Sequence, residues 1–234
     1  MLVVAYYSMG TPYEAEAALL RSSLNRVGMD HYIVGVPNRG GWYANTAHKA
    51  VFLRDQRRAH KGPLLYVDVD AFVHENCAAY FDALGPKGVD FGAHWFRGPA
   101  KGHDRSKVCN KGWWMLSGTL YLGDTLGCRT LLDNWVRMNT LFAQSGIVQG
   151  GGQKNLWYLV TCMEDDLKVE RLPGRYCYVF DKPWAYDEDE PVIIEHTIGS
   201  RQHRPGRDQP DAIYDRQNLT RHKRIHELRE QVTP

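Results

Sequence analysis

Leu64-Leu65-Tyr66-Val67-Asp68-Val69-Asp70-Ala71-Phe72-Val73 decides how this chain is read. The apolar run at 64–67 is too short for an ordinary helix and follows a Gly62-Pro63 turn signal, so it reads as a buried strand. It delivers two carboxylates, Asp68 and Asp70, to the expected mouth of a sheet. Side chains alternate along a strand, so the two acids are expected on one side. Like charges this close repel, and each costs free energy to desolvate. A divalent cation relieves both, and hard oxygen ligands suit Mg²⁺ or Mn²⁺ with phosphate oxygens completing the shell. The plainer alternative is a pair of solvated carboxylates at a strand end. The second apolar patch, Ala71-Phe72-Val73, weighs against it, because acids flanked by core are poor surface decoration.

Before this stretch, residues 2–8 read as a first strand, broken by Met9-Gly10-Thr11-Pro12. Thr11 is expected to cap the next helix with Pro12 at its first position, and Glu14 and Glu16 suit the positive helix start. Ala17, Leu20, Leu24 and Val27 share one face of that helix. A second strand (31–36), a loop (37–41) and a second helix from about Asn45 to His60 complete the run-up. Strand, helix, strand, helix, strand implies parallel strands with helices on the faces. Ligands of such sheets sit beyond the carboxyl ends of the strands. Residues 7–11, residues 39–45 and the two aspartates therefore converge on one crevice.

After it, the pattern is less regular. Residues 78–84 suit a short helix and 90–96 a strand. Residues 97–114 read as a long loop carrying Arg97, Lys101, Arg105, Lys107 and Lys111 against Asp104, and ending at Trp113-Trp114. Such a loop holds a phosphorylated or nucleic-acid acceptor, or is a solvated flap. Residues 116–122 form a strand containing Ser117-Gly118, and glycine inside a strand marks close approach of a ligand or another backbone. In the helix expected over 125–144, Cys128, Leu131, Leu132, Trp135, Met138 and Phe142 recur at helical spacing and read as core. Gly150-Gly151-Gly152 breaks the chain, and no Gly-Lys-Ser/Thr follows to make a phosphate-binding loop. A last apolar strand (191–197) carries His196. Residues 201–234 hold eight Lys/Arg against five acids, so the chain divides into a domain at 1–200 and a basic C-terminal tail or peripheral helix at 201–234.

The bulk properties fit one globular protein of 234 residues, 43% hydrophobic and 24% charged. A net charge of +2 does not by itself argue for nucleic acid. Five scattered cysteines without a C-x-x-C pair favour reduced thiols and a cytoplasmic setting over a disulfide framework or a zinc cluster. No secretory leader and no membrane span are expected.

Three elements together resemble the GT-A nucleotide-sugar glycosyltransferases. They are the alternating half ending at Asp68-Val69-Asp70, the strand Leu116-Ser117-Gly118-Thr119-Leu120-Tyr121-Leu122, and His196-Thr197-Ile198-Gly199-Ser200-Arg201. The last is similar to the H-x-x-G-x-x-K motif of glycosyltransferase family 8, the glycogenin and lipopolysaccharide galactosyltransferase type, with Arg for Lys. The resemblance spans roughly residues 2–201. It implies an α/β GT-A fold, with a mixed, mostly parallel central sheet flanked by helices. It also implies a hexosyltransferase using a UDP-sugar or another nucleotide-sugar donor with Mn²⁺ or Mg²⁺. On this resemblance Asp70 and His196 ligate the metal, Asp68 touches metal or ribose, and Arg201 holds the diphosphate. Tyr7, Ser8 and Thr11 lie near base and ribose, Asn45 and Lys49 reach the sugar diphosphate, and Ser117-Gly118 belong to the donor site. Lys49 reads equally as a surface charge. The implied acceptor is a saccharide or, as in bacteriophage DNA-glucosylating enzymes, DNA with a modified base.

The chain departs from family 8 where that family has D-Q-D-x-L-N. Gly152-Gln153-Lys154-Asn155-Leu156-Trp157 is the nearest match and lacks both acids. Glu164-Asp165-Asp166 offers a base or merely an acidic turn, and retention or inversion stays open. Two other readings compete: a haloacid-dehalogenase-like Mg²⁺ phosphatase with Asp68 as nucleophile, and a non-catalytic nucleotide-binding module.

Overall fold

The computed structural model describes residues 1–97, 113–146, 151–181, 190–199 and 212–233. In chain order the elements are β1 (Leu2–Ser8), α1 (Tyr13–Arg26), β2 (His31–Val36), α2 (Trp42–Ala59), β3 (Leu64–Val67), β4 (Ala71–Val73) and α3 (Ala78–Asp82). Then come β5 (Phe91–Arg97), β6 (Trp113–Leu122), α4 (Leu126–Gln144), α5 (Gly151–Cys162), β7 (Val169–Arg171), β8 (Tyr178–Val179), β9 (Ile194–His196) and a C-terminal helix, α6 (Ala212–Glu230).

Six strands form the main sheet in the order β2-β1-β3-β6-β5-β7. β1 runs parallel to β2 and β3, β5 runs parallel to β7, and β6 runs antiparallel to both of its neighbours. The mixed, mostly parallel sheet expected from the sequence is present. Alternation along the central strands sorts the core into two faces. Val4, Tyr6, Leu64 and Tyr66 pack with α2, α4 and α5. Val3, Ala5, Leu65 and Val67 pack with α1 and α3 on the other side. Buried Cys128, Leu131, Leu132 and Trp135 put α4 on the first face, as its spacing indicates. Gly151 and Gly152 open α5 instead of breaking the chain, and the Trp135 indole N–H donates to the Gly152 carbonyl.

The α1 start differs from expectation. The Thr11 hydroxyl donates to the Ser8 carbonyl (2.6 Å), the helix has Pro12 at its N-cap with no side-chain cap, and Glu14 accepts from the Gly10 N–H (2.7 Å). Thr11 thus braces the turn leaving β1.

A second, small sheet, β4-β9-β8, lies beyond the end of β3. β4 pairs antiparallel with β9, with Ala71 opposite His196. This pairing positions the candidate site, because it carries the chain straight from the main sheet, through the two aspartates, to the strand bearing His196. The C-terminal helix packs Ile225 and Leu228 against Leu19 of α1 and Phe72 of β4. Among the described residues no helix is long and apolar enough to cross a membrane.

Candidate donor site

Asp68 and Asp70 do not share a strand face. β3 stops at Val67, and Asp68-Val69-Asp70 turn back, the Ala71 N–H donating to the Asp68 carbonyl at 3.0 Å. The parity of a continued strand is lost at this turn, and although both carboxylates line one cavity they take different partners. Asp68 stays on the side of Tyr66 and α2. Its Oδ1 accepts from the Tyr66 hydroxyl (2.5 Å) and pairs with the Lys49 ammonium (2.7 Å). Lys49 is no surface charge. It is 9% exposed, donates to the Ser117 carbonyl (3.0 Å), and lies over the Tyr66 ring.

Asp70 turns to β9. Its Oδ2 accepts the Gly199 N–H at 2.6 Å, and its Oδ1 lies 3.8 Å from His196 Nδ1. Burial pushes the Asp70 carboxyl upward, but His196 and the Gly199 N–H outweigh it and hold the group below the usual carboxylate range. Burial pulls the His196 imidazole down, and the Cys177 thiol and Asp70 overcome it, raising the ring to about 10. The other ring nitrogen, Nε2, meets the Thr119 hydroxyl at 2.9 Å.

A bulge in β6 makes this convergence possible. β5 pairs Ala93 with Leu120 and then His94 with Leu116, leaving Ser117, Gly118 and Thr119 unpaired on that side. β3 takes over there, pairing Val67 with Thr119, and the Asp68 N–H donates to the Gly118 carbonyl at 2.7 Å. Bulges beside sites re-aim side chains. Here Ser117 meets Lys49, Thr119 meets His196, and Gly118 admits the His196 ring, whose Cε1 would lie 2.9 Å from an added Cβ.

These groups border a cavity of about 520 Å³ at the carboxyl ends of β1 and β3. Of the residues expected at a donor site, Tyr7, Ser8, Thr11, Asn45, Lys49, Asp68, Asp70 and Ser117 line it. Gly118 and His196 do not line it, His196 reaching it through Asp70, and Arg201 lies outside the described residues, as do residues 98–112 of the basic loop. Sequence reasoning missed Tyr13 and Trp42, which are hydrogen-bonded to each other at the rim. The Gln153 side-chain oxygen accepts from the Ser117 N–H and hydroxyl, both at 3.0 Å, and the residue lines the cavity. Glycine before Trp42, and Gln153 in the remnant of the family 8 motif, were the available signals.

The residues fit a divalent cation in part. Two ligands about 2.1 Å from one ion lie at most roughly 4 Å apart, which the Asp70–His196 separation satisfies once the ion takes the place of the proton that His196 Nδ1 shares with Asp70. Thr119 on Nε2 supplies the partner that orients a ligating imidazole. Asp68 is committed to Lys49 and Tyr66, and among the described residues no three His, Cys, Asp or Glu side chains converge as a complete metal cluster.

No family model and no curated protein sequence matches the chain. Solved structures do. A glycosyltransferase involved in the glycosylation of the major capsid of PBCV-1 matches at TM-score 0.59 and 9% identity, over 85% of this chain and 93% of that one. The galactosyltransferase LgtC, in complex with donor and acceptor sugar analogs, matches at TM-score 0.58 and 14% identity, over 95% and 96%. The glycosyltransferase GlyE of Streptococcus pneumoniae TIGR4 matches at TM-score 0.55 and 14% identity, over 94% of this chain and 59% of that one. At such identities the likeness is one of architecture, and the architecture is the GT-A glycosyltransferase fold.

Proposed function

We propose that this protein is a metal-assisted glycosyltransferase that moves a sugar from a nucleoside diphosphate sugar, a UDP-sugar first among them, to a saccharide acceptor. The observation that carries the reading is the meeting of Asp70 and His196 at 3.8 Å beside a cavity of about 520 Å³ on this fold. That volume suits a ligand of this class. Asp70 and His196 would hold Mn²⁺ or Mg²⁺, which when bound would stabilise the departing diphosphate electrostatically. Lys49 adds a buried cation to the same wall, and Tyr7, Tyr13 and Trp42 offer aromatic faces to a nucleobase. Ser117 links Lys49 to Gln153, taking the Lys49 ammonium on its carbonyl and donating its hydroxyl to the Gln153 side-chain oxygen, and all three line the cavity that would hold the donor. The structural neighbour holding donor and acceptor sugar analogs favours a saccharide over DNA. The GT-A architecture favours this reading over a haloacid-dehalogenase-like phosphatase.

A thermal-shift series of nucleoside diphosphates with and without Mn²⁺ tests the donor, since a ligand at 100 times its Kd stabilises the native state by about 2.7 kcal/mol. Donor hydrolysis and transfer to saccharides follow with the best nucleotide. Asp70→Ala and His196→Ala should abolish Mn²⁺-dependent turnover in folded protein. Absence of stabilisation by every nucleotide, or full turnover in both variants, would remove the reading. Transfer to DNA carrying a modified base, with none to saccharides, would replace the acceptor.

A further inference from the structure

We infer that α6 clamps the donor site and that Arg221 is a positioning residue, fixing the turn at residues 197–199 and through it the Asp70 carboxylate. The inference rests on the donor-site reading above. Arg221 is 3% exposed on an otherwise polar helix, and a buried arginine must be paired. Its Nε donates to the Thr197 carbonyl (2.9 Å), its Nη2 reaches the Thr197 hydroxyl (3.3 Å), and it pairs with Glu16 of α1. Thr197 in turn donates through its N–H and its hydroxyl to the Asp70 carbonyl, at 2.9 and 3.1 Å. Two residues on, the Gly199 N–H holds the Asp70 carboxylate.

Between them Ile198 has φ 54°. A β-branched residue is rarely left-handed, and such a backbone persists only where its surroundings impose it. Arg221 supplies that constraint from one side. Gly199 is wedged in place, an added Cβ lying 3.3 Å from each of Arg221 Nη2, Asp70 Cβ and Tyr13 Cε1.

The same helix grips the other flank of His196. Glu195, 1% exposed, receives Arg224 in two-point fashion (2.7 Å each) and His74 at 2.9 Å. The residues on both sides of His196 are thus held by arginines one helical turn apart. Partners of this kind orient metal ligands, and losing one costs about 10- to 100-fold in metal affinity.

The test compares wild type, Arg221→Met and Arg221→Lys by two readouts. One is amide hydrogen exchange at Gly199 relative to β1. The other is Mn²⁺ binding in the presence of uridine diphosphate, followed by the electron paramagnetic resonance of free Mn²⁺. In Arg221→Met, Gly199 exchange should accelerate and Mn²⁺ affinity fall by about 10-fold or more, with partial recovery in Arg221→Lys. A folded Arg221→Met that is merely less heat-stable, with both readouts unchanged, overturns the inference. Should Arg221→Met not fold, Arg221→Lys carries the comparison. Should wild type bind no Mn²⁺, the metal reading falls alone, and Gly199 exchange still decides the clamp: faster upholds it, unchanged removes it.

Discussion

Replacing Gly118 by alanine isolates one contact on which the proposed metal site depends. The Gly118 backbone is not left-handed, so alanine is permitted there and even loses less chain entropy on folding. The nearest conflict is with His196. The new Cβ would stand 2.9 Å from Cε1, 3.1 Å from Nε2 and 3.2 Å from Nδ1. Carbon atoms rest about 3.5–4.0 Å apart, so the ring must withdraw by roughly half an ångström or more. It has little room, being 5% exposed and bonded to Thr119. Overpacking of this kind costs about 1–3 kcal/mol. In a His196→Ala background the clash is gone and the cost should vanish. Urea unfolding of wild type, both single variants and the double variant closes the cycle, with an expected coupling of about 1–3 kcal/mol. Effects that add to within about 0.5 kcal/mol would show that the ring does not lie on Gly118 and would refute the packing on which the site is built.

Lys49→Met removes the cation beside Asp68 while keeping its stem. Since a hydrogen bond to a charged group is worth about 1.5–3 kcal/mol, affinity for the donor diphosphate should drop about 10- to 100-fold, and an unchanged KM for the donor counts against Lys49 as a diphosphate contact. Asp124, far from the cavity, predicts a pH effect. The Gly62 N–H, with Arg129 and Arg57, holds its carboxyl below the usual carboxylate range. Its stabilisation is therefore complete above that range and is lost as pH falls through the lower folded-state pKa. Asp124→Asn should lower the urea midpoint at neutral pH and flatten its decline in acid, and a variant that keeps the wild-type acid slope removes Asp124 from the account.

The parallel half was legible because its signals are local: apolar runs punctuated by Gly and Pro, with helical spacing between. Asp68 and Asp70 reach one cavity as expected, but the turn between them and their separate partners have a non-local cause. Nothing in 68–70 says that the strand ends at Val67; the pairing of β4 with β9 decides it. Gly118 was legible in kind, as a close approach, but its partner is a side chain brought in by that same pairing. Lys49 stayed ambiguous because spacing on α2 cannot reveal that Ser117, on a bulge of β6, buries its ammonium. The polarity of α6 hid its attachment, which runs through Arg221 and Arg224 more than through its few apolar side chains.

One consequence separates this geometry from a simple two-carboxylate cage. If Asp68 answers to Lys49 and Asp70 to His196 and Gly199, the aspartates are not interchangeable. Asp68→Asn keeps a hydrogen-bond acceptor for Tyr66 but releases the Lys49 charge toward the cavity. The Mn²⁺ concentration for half-maximal turnover should stay near wild type, while the KM for the donor changes. Asp70→Asn keeps an acceptor for the Gly199 N–H but removes the anion that faces His196. A neutral amide is a weaker ligand for a hard cation, so half-maximal turnover should need at least about 10-fold more Mn²⁺, a loss on the scale seen when a metal site is disturbed. Titrating Mn²⁺ at fixed donor, then donor at saturating Mn²⁺, resolves the two in each variant. Equal shifts in Mn²⁺ requirement for Asp68→Asn and Asp70→Asn would mean that both carboxylates grip one ion during turnover. Lys49 would then have to leave Asp68 when the donor binds, and the division of labour drawn from these contacts would be wrong.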